Sequence, residues 1–395
     1  MNNKNKKQMI KSKKNEYDLF IIGGGINGAG IARDASGRGL KVYLAEKGKV
    51  GSATSSWSSK LIHGGLRYLE NYEFKLVAES LREREVITKI APSITKPIPF
   101  VIPHTKKLRS KLIIRIGLFL YDILAGKTKI PKSSKIYFDK KYQSILKSKF
   151  KEGFQYYDVQ VDDKKLVEMN IDDAKKMGAY IAEDTKVINA NRVENYWEIT
   201  LNNNEKIKSK ILINAAGPWI NEILNNVLKI NSKKSIRLVR GSHIIIKKLY
   251  EEEVAFTLQN DDNRIVFVIP YKGEYSLIGT TEVDVKTPDN PTISDKEKIY
   301  LINTINNHFI MQISQEDIVK TYSGIRPLIE DFKEASKVTR DYVFDLNSEN
   351  NILPLLNIYG GKLTTYRKLS QNVMEELYPY LPDTKIKNWT DTKPL

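Results

Sequence analysis

The sequence predicts a two-domain α/β protein, α+β overall, in which a Rossmann-like domain for a dinucleotide is interleaved with an antiparallel-sheet domain for a substrate. Three observations carry this reading. The chain has 395 residues, beyond the size at which a single hydrophobic core stops growing. Near its start a strand runs into a glycine turn, a helix and a second strand closed by an acid. Farther on, alternating strands at 237–248, 264–271 and 274–281 describe a sheet of a different kind.

The opening element is the most specific by spacing alone. Tyr17–Ile22 is a short apolar run ending in Gly23-Gly24-Gly25-Ile26-Asn27-Gly28. A helix from Ala29 to about Arg38 follows, then Gly39, a second strand over Lys41–Ala45, and Glu46. Gly23 permits the tight turn, Gly25 lets the backbone approach a pyrophosphate, and Gly28 lets the helix pack closely on the strand. The helix N-terminus presents N–H groups and the positive end of its dipole to phosphate. Glu46 stands where a carboxylate accepts hydrogen bonds from a ribose diol, which disfavours a 2′-phosphate. The spacing does not separate FAD from NAD.

Composition removes several classes. There is no cysteine, which excludes disulfides, thiolate metal sites and a redox-active thiol pair. The four histidines (His63, His104, His243, His308) lack metal-ligand spacing, so no metal is expected. Redox chemistry would have to come from an organic cofactor. A net charge of +17 suits nucleic acid, an anionic membrane or an anionic substrate, and equally a lysine-rich solvated surface. No RNP-like aromatic motif, zinc finger or basic reading helix accompanies it, so nucleic acid is not an expected partner. Residues 1–16 form a basic tail without the apolar core of a signal peptide. No apolar window reaches the roughly 20 residues that span a bilayer. A cytoplasmic protein is expected, with contact to a membrane surface left open.

After Glu46 the chain reads Ala53-Thr54-Ser55-Ser56-Trp57-Ser58-Ser59-Lys60-Leu61-Ile62-His63-Gly64-Gly65-Leu66-Arg67-Tyr68-Leu69-Glu70. Here, and in Val161-Asp162-Asp163, Asn214-Ala215-Ala216-Gly217-Pro218-Trp219 and Gly241-Ser242-His243, it closely resembles the FAD-dependent glycerol-3-phosphate dehydrogenases of the D-amino-acid oxidase superfamily. The resemblance continues through Arg264–Pro270, Ile278-Gly279-Thr280-Thr281, Ser323-Gly324-Ile325-Arg326-Pro327-Leu328, Thr339-Arg340-Asp341-Tyr342 and Gly360–Arg367. These blocks occur in family order from about residue 17 to 380. Two departures stand out. Trp57 occupies a position that is usually small in the family, and the chain ends at Leu395, where members usually continue into a further helical domain.

The resemblance implies bound FAD, sn-glycerol 3-phosphate as substrate, and a membrane quinone as electron acceptor. It places the protein peripherally on the inner face of the cytoplasmic membrane, with a homodimer as one expected assembly. Cofactor contacts are expected from Gly23, Gly25, Asn27, Gly28 and Glu46, and from Thr54, Ser55, Ser59, Lys60, His63 and Gly64. Gly217, Gly361, Lys362, Leu363 and Thr364 complete that set. Read without the resemblance, the Thr54–Gly65 segment is an ordinary serine-rich loop, and the 211–217 strand is equally a plain structural strand. A turn into a helix after Gly360-Gly361 would aim a helix N-terminus at the flavin N1–C2=O edge.

A phosphate dianion with a secondary alcohol needs fixed cations and one base. Arg67, Arg326, Arg340 and Lys362, with Tyr68, are the expected substrate contacts. His243 is the expected catalytic base, assisted by Arg326, while His63 is expected beside the flavin. The flavin domain is expected to combine 17–75, 152–235 and 320–380, and the substrate domain 76–151 and 236–319. Within 104–135, an apolar run from Leu112 to Leu124 is flanked by eight cations. It reads either as a helix lying in a membrane interface or as a buried helix. The nearest rival is an oxidase of the same fold that returns electrons to O2. More distant rivals are a basic nucleic-acid-binding flavoprotein and an inactive flavin-binding protein.

Overall fold

The computed structural model describes residues 15–105, 109–231, 234–329, 341–349, 352–382 and 388–395. Residues 1–14 of the tail, Lys106, Lys107 and Arg340 lie outside the described residues.

β1 (Glu16–Ile22) runs into the glycine turn, followed by α1 (Ile26–Gly37) and β2 (Val42–Ala45). β2 and residues 19–22 of β1 are wholly buried, as strands covered on both faces must be. β3 (Leu61–Ile62), α2 (Phe74–Ile90), β4 (Thr95–His104), α3 (Lys111–Ala125), β5 (Ser134–Tyr137) and β6 (Glu152–Val161) come next. Asp162 then caps α4 (Asp163–Lys176), its carboxylate accepting from the Lys165 N–H. β7 (Tyr180–Ala182), β8 (Val187–Val193), β9 (Tyr196–Leu201) and β10 (Lys206–Asn214) follow it. The remainder holds β11 (Ile236–Lys247), β12 (Ala255–Gln259), β13 (Ile265–Tyr271), β14 (Tyr275–Gly279) and β15 (Val283–Val285). Last come α5 (Asp295–His308), β16 (Ile318–Ile329), β17 (Tyr342–Glu349), β18 (Ile352–Gly360) and α6 (Tyr366–Leu377).

These strands form two sheets. The first runs β17-β18-β10-β1-β2-β7, with β8 and β9 added alongside β10. Strands β18, β10, β1, β2 and β7 are parallel, as a nucleotide-binding sheet requires. α1 lies between α4 and α6 over one face, sharing a core that includes Ala29, Leu166 and Leu369. The second sheet runs β15-β11-β14-β13-β12-β4-β6-β3, with β16 on β11 and β5 on β6. Buried charges tie helices together. The Arg367 guanidinium donates to both Glu83 oxygens (2.8 and 2.5 Å) between α6 and α2, and Arg33 joins α1 to Asp173 of α4 at 2.7 Å.

The sheet membership of two strands differs from the grouping expected above. β6 and β16 fall largely in segments grouped with the flavin motifs, yet both are strands of the second sheet. β6 pairs antiparallel along all of β4, and β16 along β11. The motifs at their ends show which tip meets the nucleotide sheet. They carry no information on which neighbour supplies the hydrogen bonds along the strand.

Candidate functional site

A cavity of about 1190 Å³ lies where the two sheets meet, lined by loops of both. It exceeds the roughly 300–1,000 Å³ typical of small-molecule pockets and has room for a dinucleotide with a small substrate.

The nucleotide end is built by the opening motif. Gly23 has φ +108°, and a Cβ on it would lie 2.6 Å from the Ala215 carbonyl oxygen. A Cβ on Gly28 would lie 1.9 Å from the Gly23 oxygen, so α1 packs on the turn with no room for a side chain. Gly25 is the helix N-cap and supplies no capping side chain. Glu46 is held by two backbone donors, Gly24 N at 2.6 Å and Gly48 N at 2.9 Å. Its carboxylate is thereby fixed at the cavity wall. Ser55 accepts from the Ile26 N–H at 2.9 Å, and Thr54 donates to the Ile325 carbonyl at 2.7 Å. The serine-rich loop is thus pinned between the first helix turn and β16. Asn27 Oδ1 is buried and has no hydrogen-bond partner among the described residues, beside Gly361. A glycine cradle, a helix N-terminus at the cavity wall, a fixed carboxylate and an orphaned polar atom fit a dinucleotide cofactor.

Of the expected cofactor residues, Gly23, Gly25, Asn27, Glu46, Thr54, Ser55, Ser59, His63, Gly217, Gly361, Lys362, Leu363 and Thr364 line this cavity. Gly28, Lys60 and Gly64 do not. Gly28 serves packing. The Lys60 ammonium is drawn away to buried Asp163 at 2.6 Å, and the Gly64 N–H donates to the Tyr121 hydroxyl at 2.8 Å. His63 is bracketed by Thr364 Oγ1, which accepts from its N–H at 3.2 Å and donates to its carbonyl at 3.3 Å. Burial, with Lys362 and Arg84 nearby, pushes the His63 imidazole down to about 3, so it stays neutral at physiological pH.

At the other end stand the cations. Arg326 donates to Thr280 Oγ1 at 2.9 Å, Arg67 lies 4.0 Å from Glu282, and Lys362 donates to Ser80 Oγ at 2.8 Å. The Lys362 ammonium also sits 4.7 Å from the centre of the Tyr68 ring. Arg67, Tyr68, Arg326 and Lys362 all line the cavity, whereas Arg340 lies outside the described residues. Arg264, which sequence reasoning did not single out, lines it as well, held by Asp262 at 2.7 Å.

His243 lies within β11 and also lines the cavity. Its cross-strand partners are Gly279 on β14 and Tyr322 on β16, so all three side-chain positions share one face. Tyr322 stacks on the imidazole at 4.7 Å and donates its hydroxyl to the Ser58 carbonyl at 2.7 Å. The other side of the ring leans over Gly279, where a Cβ would come within 2.1 Å. Burial first, then Arg326 and Lys60, hold His243 well below the usual histidine range. Trp57 packs on the other side of this group, its ring 5.4 Å from Tyr322 and its indole N–H on the Ser52 carbonyl at 2.9 Å.

The expected apolar stretch forms α3, and its two faces differ. Ile114, Leu118, Tyr121 and Ala125 are buried, whereas Leu112, Ile113, Ile116, Phe119 and Ile123 are each at least half exposed. Ile113 and Ile116 are also part of the cavity rim, together with Tyr72 and Phe74. Of the flanking cations, Lys111 and Lys135 pair with Glu152 and Arg109 with Glu70, while Lys127, Lys129 and Lys132 are exposed. Among the described residues no helix is long and apolar enough to cross a membrane, and no group of His, Asp or Glu forms a metal-binding cluster.

Comparison with known proteins agrees with this geometry. The family model of FAD dependent oxidoreductases (DAO) matches residues 18–360. A glycerol-3-phosphate dehydrogenase of Pseudomonas aeruginosa is 46% identical over 385 residues, covering 96% of this chain and 75% of the relative. The aerobic glycerol-3-phosphate dehydrogenase of Escherichia coli is 46% identical over 370 residues (92% and 74%). A D-erythritol 1-phosphate dehydrogenase of Brucella abortus is 44% identical over 387 residues (96% and 76%). Among solved structures, the glycerol-3-phosphate dehydrogenase of Bacillus halodurans complexed with FAD superposes with TM-score 0.72 at 25% identity, covering 98% of this chain and 69% of that one. This chain belongs to the FAD dependent oxidoreductase family, and FAD is its cofactor.

Proposed function

We propose that this protein oxidises sn-glycerol 3-phosphate to dihydroxyacetone phosphate and passes the electrons to a membrane quinone. The observation that carries the reading is one cavity joining the FAD cradle to Arg67, Arg326, Lys362 and a neutral buried histidine. FAD, when bound, supplies the acceptor for the hydride that leaves C2. The chain's own groups do the rest. Arg326 and Arg67 offer permanently charged donors to the phosphate dianion, with Lys362 as a third cation and Tyr68 beside it. His243 is the base that drives deprotonation of the C2 hydroxyl, a role its neutral state permits. The glycerol-3-phosphate dehydrogenases named above support the same reading, and the erythritol phosphate relative supports a second one, a longer polyol phosphate in the same site.

The acceptor reading rests on α3. Its exposed apolar residues continue directly into the cavity rim at Ile113 and Ile116. An apolar, membrane-dwelling acceptor would meet the cavity there, at the inner face of the cytoplasmic membrane, while an aqueous substrate enters from solution. Reaction with sn-glycerol 3-phosphate, with a short-chain quinone or with O2 as acceptor, tests both parts. Dihydroxyacetone phosphate is the expected product, with quinone reduction outpacing hydrogen peroxide formation. Peroxide as the main reduced product would replace the quinone reading with an oxidase, and turnover only with a longer polyol phosphate would replace the substrate.

A further inference from the structure

His243 is hardly open to the cavity it serves, being only 2% exposed. The hydroxyl of Ser59 stands 3.0 Å from its Nε2, and Ser59 is itself a partly exposed residue of the cavity wall. The other ring nitrogen, Nδ1, is buried and makes no hydrogen bond among the described residues. Turning the ring to present it is resisted on both sides, by Tyr322 stacked at 4.7 Å and by the backbone of Gly279. A proton leaving the substrate therefore meets the Ser59 hydroxyl before it meets the imidazole.

We propose that Ser59 is a catalytic proton relay, taking the proton of the substrate's C2 hydroxyl and giving its own to His243 Nε2. The inference rests on the assignment of His243 as the base. The step balances. The C2 hydrogen leaves with its electron pair as hydride to the oxidised flavin, and the C2–O bond becomes a carbonyl. The hydroxyl proton passes to Ser59 Oγ as the Ser59 proton passes to Nε2. Ser59 ends as a neutral hydroxyl and His243 as an imidazolium.

The surroundings fit a base that waits neutral. Arg326 and Tyr322 face the ring from β16 and Lys60 from the serine-rich loop, where Asp163 pairs with it at 2.6 Å; β14 contributes only Gly279. Arg326 and Lys60 oppose a standing imidazolium. A phosphate dianion drawn to Arg326 offsets that repulsion when substrate is bound. With Ser59 as donor, Nε2 is the lone-pair nitrogen and Nδ1 carries the ring proton.

The test uses the FAD-loaded enzyme with Ser59→Ala, Ser59→Thr, His243→Gln and the double Ser59→Ala, His243→Gln. Anaerobic rapid mixing with sn-glycerol 3-phosphate reads flavin reduction, and nitrogen-15 NMR without substrate reads the His243 tautomer. Ser59→Ala and His243→Gln should each slow reduction by about 10²- to 10⁴-fold. Groups acting as one unit are not additive, so the double variant should be little slower than the slower single. The proton inventory in mixed H2O and D2O should be curved in the native enzyme and linear in Ser59→Ala, and the defined tautomer should be lost in that variant. Slow His243→Gln beside a normal Ser59→Ala overturns the relay and leaves the base in place. Fast reduction in His243→Gln overturns the base and the relay with it. Should Ser59→Ala lose flavin, Ser59→Thr decides: fast reduction with a curved inventory sustains the relay, and slow reduction overturns it.

Discussion

Replacing Gly279 by alanine presses directly on His243, the proposed base, from across the strand pair. Gly279 and His243 are cross-strand partners on β14 and β11. A Cβ at Gly279 would lie 2.1 Å from His243 Cδ2, 2.6 Å from Cγ and 2.7 Å from Nε2. Carbon atoms in contact stay about 3.5 Å apart or more, so the ring must retreat by roughly 1.4 Å. Tyr322, stacked at 4.7 Å, stands on the side to which it would retreat. The strain of such overpacking is about 1–3 kcal/mol, and a displacement of about 1 Å at a reacting group costs about 10²-fold in rate. Gly279→Ala should therefore retain flavin, melt somewhat earlier, and reduce its flavin about 10²-fold more slowly in anaerobic rapid mixing. Native reduction kinetics with full flavin content would show that the ring's position does not govern proton transfer.

Three further outcomes follow from the same geometry. Arg326→Ala should lower kcat/KM by about 10- to 150-fold, the worth of a charge-assisted hydrogen bond of about 1.5–3 kcal/mol, with normal flavin content; unchanged kinetics would place the phosphate elsewhere. Ile116→Glu with Phe119→Glu alters two α3 residues that are 50% and 62% exposed, so the fold should survive while flotation with anionic vesicles is lost. If the native chain does not float either, the exposed face is not a membrane contact. His63 is pushed down to about 3, so below the ordinary histidine value of about 6.5 the unfolded chain binds a proton that the folded chain refuses. Stability contributed by this group is present above about 6.5 and lost as pH falls, by at most about 1.4 kcal/mol per unit. His63→Gln should flatten the fall of Tm between about pH 6 and 4, and an unchanged slope would mean that the imidazole protonates in the folded state.

What the sequence made legible was local. The strand, turn, helix and acid from Tyr17 to Glu46 lie where spacing put them, because each is specified by residues within a few positions of one another. The apolar stretch at 112–124 read as either interfacial or buried, and α3 is buried on one face and exposed on the other. Sheet membership was not legible for β6 and β16, since strand patterns carry no label for their partners. The bond between Ser59 and His243 joins residues 184 apart and became visible only once β11 was laid across the serine-rich loop. Gly279 and Tyr322 were within quoted or neighbouring motifs, and only the register of three strands reveals them as the walls around the imidazole. The pairing of Lys60 with Asp163 was hidden for a related reason, since the two residues lie in separate motifs 103 positions apart.

The visible spectrum of the purified protein, followed without oxygen as candidate substrates are added, tests cofactor and substrate together. The expected result is a yellow protein whose flavin band bleaches with sn-glycerol 3-phosphate, reappears on adding a quinone, and does not respond to glycerol or inorganic phosphate alone. A flavin that stays oxidised with sn-glycerol 3-phosphate yet bleaches with another polyol phosphate or an amino acid would contradict it.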